Sequence, residues 1–169
     1  LCTGRAPAQS GSILPVFNPQ AVHVFNGGGT IARTNGEVLV EKNLPSDLVR
    51  EIAIACERLG SEYEIDHKGK VYVSTNKVNL DKGYHDAREL TDWSSSLLCI
   101  QWITDEVREL VGQYQGIEVK EMLSEVNGPY LDITVEGVNK ATGLQIWSEV
   151  TGIPLNQVMG FGDSQNDLE

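Results

Sequence analysis

The chain is short of positive charge, of cysteine and of long apolar runs, and each shortage argues against a class of function. Lys and Arg together number 13 against 24 Asp and Glu, giving a formal net charge of -11. No cluster of Lys and Arg could neutralise a line of phosphates, so the composition argues against nucleic-acid binding. The three cysteines, Cys2, Cys56 and Cys99, are widely spaced, odd in number and set mostly among apolar residues. They fit buried free thiols in a reducing compartment, and no zinc-ligand spacing is present. The longest apolar stretch, around "LLCIQWI", is far too short to span a bilayer, and the first residues lack the charged-then-apolar profile of a secretory signal. These features point to a cytoplasmic protein with no membrane partner. There is no internal repeat or low-complexity tract, and nothing in the sequence fixes an oligomeric state.

What remains is an ordinary globular composition. The 169 residues, 40% of them hydrophobic, suffice for one compact domain or for two small ones sharing a chain. "AVHVF" and "VLVE" read as short strands, separated by "NGGGT" and the turn signal "TNGE". "SDLVREIAIACERL" predicts a helix with Ser46 as N-cap, Asp47 in its first turn and Gly60 closing it. "EYEID" and "KVYVST" flank "HKG" as a hairpin, and "SLLCIQWI" reads as a buried strand. "TDEVRELVGQY" predicts a second helix capped by Thr104. "IEVKEML" and "YLDITV" give two more strands, "NKATGLQIWSEVTG" a helix from an Asn139 cap to Gly152, and "QVMGF" a last strand. Alternating strands and helices predict an α/β protein with a parallel sheet. The hairpin-rich middle predicts an α+β domain at 35–126, inserted between core segments 1–34 and 127–169.

Ligands of open parallel sheets collect at the carboxyl ends of strands, which directs attention to "TGR", "NGGG", "GVNK" and "GDSQND". The last turn is not an EF-hand loop, because Leu168 occupies the position that needs Gly. Nor is it a dinucleotide fingerprint, since Gln165 stands where the third Gly belongs and carboxylates would repel a pyrophosphate. Two readings stay open. Asp163 binds Mg²⁺ directly while Asn166 and Asp167 position waters or neighbouring side chains, or the turn is a solvated helix cap built on Asp163 or Ser164. Lys140 lies in the first turn of its helix, where the dipole opposes a cation by ~0.3 to 1 kcal/mol. An anionic partner would reverse that sign, so Lys140 either holds a phosphate, offsets carboxylates, or simply reaches water.

"TGR" offers the Thr3 hydroxyl, the Gly4 amide and the Arg5 guanidinium to an anion, or is an ordinary exit from a strand. "NGGGT" lacks the Gly-Lys-Ser/Thr of a P-loop. Asn26 there either touches substrate or accepts the positive φ of a turn. His23, His67 and His85 pair with nothing in sequence, and Trp93, Trp102 and Trp147 read as core or contact residues without interleaved basic groups.

Taken in order, "LCTGR", "VFNGGGT", "LDITVEGVNKATGLQ" and "GFGDSQND" resemble the haloacid dehalogenase superfamily, in particular its Cof-type sugar-phosphatase branch with a type-two cap. The resemblance covers the whole chain. It implies a Rossmannoid core, a cap that selects substrate, and Mg²⁺-dependent hydrolysis of a small phosphorylated metabolite through an aspartyl-phosphate. Thr3 would then bind the phosphoryl group, with Gly4 and Arg5 beside it. Lys140 would stabilise the phosphorylated intermediate, and Asp163, Asn166 and Asp167 would form the metal site, with Asp163 the direct ligand. Asn26 and Gly27 match the family's Asn-Gly turn leading toward the cap. The family's Asp-x-Asp-Gly motif, which carries the nucleophile and general acid, is not in this sequence. It is expected before Leu1, where a non-Met start and a strand-like "LCTGR" suggest that sequence has been lost. The alternatives are a phosphomutase built on the same site and a catalytically silent fragment.

Overall fold

A computed structural model describes residues 1–74, 83–124, 128–162 and 167. The chain divides into two compact units, one made of Leu1–Glu41 with Gly137–Glu169, the other of Lys42–Glu136.

The discontinuous unit is built on a small sheet. Strand β1 (Val22–Phe25) turns back through "NGG" into β2 (Thr30–Arg33), which pairs with β3 (Val38–Glu41). All three are antiparallel. On the other side of β1 the chain start runs parallel to it, through a bridge between Cys2 and Val24 and hydrogen bonds from Thr3 N to Val24 O and from Val24 N to Leu1 O, both 2.9 Å. This bridge is the parallel pairing of this unit among its described residues. Helix α3 (Lys140–Thr151) covers β1 and β2, and the Trp147 indole N–H donates to Val22 O at 2.9 Å.

Two expectations change here. Strand β2 was not read from "TIAR", because the glycine run before it looked like the end of a strand rather than the middle of a hairpin. "QVMGF" was read as a strand, yet Leu155–Gln157 is a 3-10 turn and no strand follows it through residue 162. Met159 is 80% and Phe161 94% exposed. An apolar run becomes a buried strand only where a neighbour completes its ladder, and no described strand lies beside it.

The second unit is one six-stranded sheet with two helices on one face. Its strands are β4 (Glu62–His67), β5 (Lys70–Val73), β6 (His85–Asp86), β7 (Leu97–Gln101), β8 (Ile117–Ser124) and β9 (Gly128–Val135). They lie in the order β6-β5-β4-β7-β9-β8, antiparallel except for β5 with β6. Alternation sends Tyr63, Ile65, Leu98, Ile100, Leu131 and Ile133 into one core with Val49, Ile52 and Cys56 of α1 (Ser46–Leu59) and Val107 and Val111 of α2 (Asp105–Val111). Each large side chain buried there contributes roughly 1.5–3 kcal/mol of transfer free energy. The β4–β5 turn is set by Lys68 and Gly69, both at positive φ (52° and 74°), as a two-residue hairpin requires.

Thr104 caps α2 as expected, accepting from Val107 N. Ser46 does not cap α1. Pro45 holds that position, and the Ser46 hydroxyl instead accepts from Trp93 N at 2.8 Å. The unit boundaries also fall later than the expected 35–126. Strand β3 is hydrogen-bonded to β2, and β9 lies between β7 and β8, so both boundaries move toward the C-terminus.

Candidate functional site

The site begins at the turn after β1. Asn26, Gly27 and Gly28 have φ of 54°, 61° and 112°, three left-handed residues in succession. Asn tolerates this region and glycine enters it without steric cost. Asn26 is fully buried, and its Nδ2 donates to Thr30 Oγ1 at 3.0 Å. The same turn holds the start of the chain. Gly27 N donates to Thr3 O and Asn26 N to Arg5 O, both at 3.1 Å, while Arg5 N donates to Thr3 Oγ1 at 3.2 Å. Thr3, Arg5, Asn26 and Gly27 therefore form one hydrogen-bonded group, with Gly4 between the first two in the chain. The Thr3 hydroxyl accepts within it, which leaves its own hydrogen able to donate to an anion.

The second group stands on α3. Asn139 is extended (φ -151°, ψ 176°) and its side chain accepts from Thr142 N at 2.8 Å, while Thr142 Oγ1 accepts from Asn139 N at 3.0 Å. This reciprocal cap fixes where the helix starts and so where Lys140 stands. The Lys140 ammonium donates to Asp167 Oδ1 at 2.5 Å, with the two side chains 14% and 22% exposed. Asp167 is thus the anionic partner that offsets the dipole's opposition to a cation at this helix end.

Two glycines bring these groups together. A Cβ on Gly28 would lie 2.0 Å from the carbonyl oxygen of Asn139, and one on Gly143 would lie 2.6 Å from Gly28 Cα and 2.7 Å from Val24 Cγ1. The start of α3 rests directly on the turn because neither residue has a side chain. Neither was singled out from the sequence, although a glycine inside a helical pattern signals close packing. Thr30 and Cys2 were missed as well.

A cleft of about 430 Å³ opens beside the pair, lined by Cys2, Lys140, Leu144, Phe161, Gly162 and Asp167 among others. Burial pushes the Cys2 thiol upward, and the nearby Lys140 charge opposes this without reversing it. The thiol is neutral at ordinary pH and is neither nucleophile nor metal ligand in that form. Asp163 and Asn166 lie outside the described residues. Among the described residues no three His, Cys, Asp or Glu side chains are grouped to hold a metal. Asp167, the one described member of the expected metal set, brings a carboxylate to the cleft, and the set of Asp163, Asn166 and Asp167 is all oxygen, the chemistry of a hard cation.

The described residues thus bring a cation–carboxylate pair at a helix start beside a glycine turn, in an α/β unit made of two stretches of chain that flank a sheet-and-helix unit in sequence. The chain belongs to the haloacid dehalogenase-like hydrolase family, whose model matches residues 1–169. The four motifs that carried the resemblance are borne out at this level. Among solved structures, the subclass IIB sugar phosphatase BT4131 superposes with a TM-score of 0.72 at 21% identity, covering 99% of this chain and 67% of that one. The phosphatase BT1666 of Bacteroides thetaiotaomicron gives 0.68 at 19% identity, covering 98% and 64%. A curated relative, the 5-amino-6-(5-phospho-D-ribitylamino)uracil phosphatase YitU of Bacillus subtilis, is 46% identical over 39 residues, or 23% of this chain and 14% of that protein. The chain spans about two thirds of the length of the two solved relatives. Among the described residues no helix is long and apolar enough to cross a membrane.

Proposed function

We propose that the intact protein hydrolyses a phosphomonoester of a small metabolite, a sugar phosphate by the class of its structural relatives. The observation that carries this reading is the Lys140–Asp167 pair at the start of α3, on the cleft and packed against the turn that holds Thr3. A phosphoryl group in this cleft would meet the Lys140 ammonium and the Thr3 hydroxyl, with the Gly4 and Gly27 backbone and Arg5 close by. The Asn139 cap and the contact with Asp167 hold Lys140 before substrate arrives, so its charge would stabilise the transferring group without reorganising. Asp163, Asn166 and Asp167 would hold Mg²⁺, which when bound supplies neutralisation of the phosphoryl oxygens. Lys140 limits the repulsion between those carboxylates.

The phosphoryl acceptor in this reading is an aspartate of an Asp-x-Asp motif, which the 169 residues do not contain. Its carboxylate oxygen bonds to phosphorus as the ester oxygen leaves with a proton from the second aspartate. That aspartate then removes a proton from the water that cleaves the acyl phosphate, releasing phosphate and restoring both groups. In this reading the Lys42–Glu136 unit acts as the cap and the protein works in the cytoplasm, which the acidic composition and the widely spaced cysteines support.

The test is a phosphate-release screen with the intact protein over sugar phosphates and a generic aryl phosphate, with Mg²⁺ and then with chelator. Release that needs the metal is expected. Failure to release phosphate from any of these substrates with Mg²⁺ present would overturn the reading.

A further inference from the structure

Strand β8 is the last strand of the six-stranded sheet, eight residues long, and among the described residues no strand pairs with its outer side. Its register with β9 runs unbroken from Ile117↔Val135 to Ser124↔Gly128. Such an edge has neither a bulge nor a proline to discourage a further strand. It also shows apolar surface, with Val119 40% and Leu123 81% exposed. It is held in place from the helix side, where Arg108 of α2 donates Nε and Nη2 to the two Glu121 carboxylate oxygens at 3.2 and 3.0 Å.

We propose that β8 pairs antiparallel with β8 of a second copy of this chain, joining two six-stranded sheets edge to edge. A twofold axis perpendicular to the sheet sets one residue opposite itself. Centring it on Glu118, Lys120 or Glu121 would put like charges face to face, which destabilises a strand pair. Centring it on Val119 avoids this. Val119 then meets Val119 of the second copy, Glu118 meets its Lys120, and Lys120 meets its Glu118. Within one chain Lys120 and Glu118 already lie 3.5 Å apart on one face, so the two copies complete an alternating square of charges. Ile117 falls opposite the aliphatic stem of the second copy's Glu121, whose carboxylate is drawn away by Arg108. The charge order along β8 is thus complementary to itself, which selects a second copy over an unrelated partner.

The test is sedimentation equilibrium of the whole chain across a wide concentration range, with far-UV circular dichroism as the check on folding. A monomer–dimer equilibrium is expected. Lys120→Glu should raise the dimer Kd by roughly tenfold or more, since it creates two like-charge contacts per dimer. The double swap E118K/K120E keeps the charges complementary and should restore the wild-type Kd. A monomer at every concentration, a dimer indifferent to Lys120→Glu, or a double swap as weak as the single variant would each overturn the proposal.

Discussion

Replacing Gly143 by Ala sets two effects of opposite sign against each other. Gly143 lies inside α3, where intrinsic propensity favours Ala by about 0.8–1.0 kcal/mol. The new Cβ, however, would stand 2.6 Å from Gly28 Cα and 2.7 Å from Val24 Cγ1. The Val24 methyl belongs to a buried strand residue, and Gly28 Cα is backbone at the end of the positive-φ run Asn26–Gly28, so neither contact can yield cheaply. Overpacking of this kind costs typically 1–3 kcal/mol and occasionally more. With one contact to backbone, we expect the upper part of that range and a net loss of about 2 kcal/mol. For a chain of this size that lowers the thermal midpoint by roughly 4–8 °C. Denaturation followed by far-UV circular dichroism measures it. A Gly143→Ala variant as stable as the wild type, or more stable, would refute the claim that α3 rests on the glycine turn. Gly28→Ala should cost more, because it adds a positive φ to a 2.0 Å approach to the Asn139 carbonyl. Both substitutions part the same two segments, so the double variant should lose less than the sum.

The remaining predictions concern charge and capping. Burial pushes the Asp132 carboxyl up from 3.8 to about 6, with the Glu64 charge adding and a hydrogen bond from Cys99 opposing. A carboxyl raised in the folded state contributes stability that is full below its unfolded value and is lost as pH rises through about 6. The displacement amounts to roughly 2–3 kcal/mol at 1.36 kcal/mol per pH unit. Asp132→Asn should therefore flatten the pH dependence of stability between pH 4 and 7, and a variant that keeps the wild-type slope would show another group responsible. Asn139→Ala should remove about 1 kcal/mol with the cap. In the intact protein it should also lower kcat by loosening Lys140, and unchanged turnover would separate cap from site.

Much of this arrangement was legible because it rests on local chemistry. The Asn139 and Thr104 caps, the Lys68–Gly69 hairpin and the alternation of Tyr63 and Ile65 each follow from short-range rules that tertiary packing left in force. What misled was local signal overridden from elsewhere. The Ser46 hydroxyl is used by Trp93 N, which left the cap position to Pro45. "QVMGF" has the apolar content of a buried strand but no described partner, and "NGGGT" hides a hairpin because glycine marks any turn equally well. Within the site, Lys140 could be singled out by its conflict with the helix dipole. That Asp167 answers it depends on a contact across 27 residues of sequence separation, which no local rule supplies. Gly28 and Gly143 matter for the space they leave, and space is a property of the fold.

The central claim is that Lys140 meets a phosphoryl group in the cleft it shares with Asp167. The most direct measurement is steady-state phosphate release by the intact protein carrying Lys140→Ala, beside the wild type, with thermal midpoints recorded for both. The account predicts a kcat lower by roughly a hundredfold or more, with a midpoint close to that of the wild type. Unchanged kcat in a folded variant would contradict it.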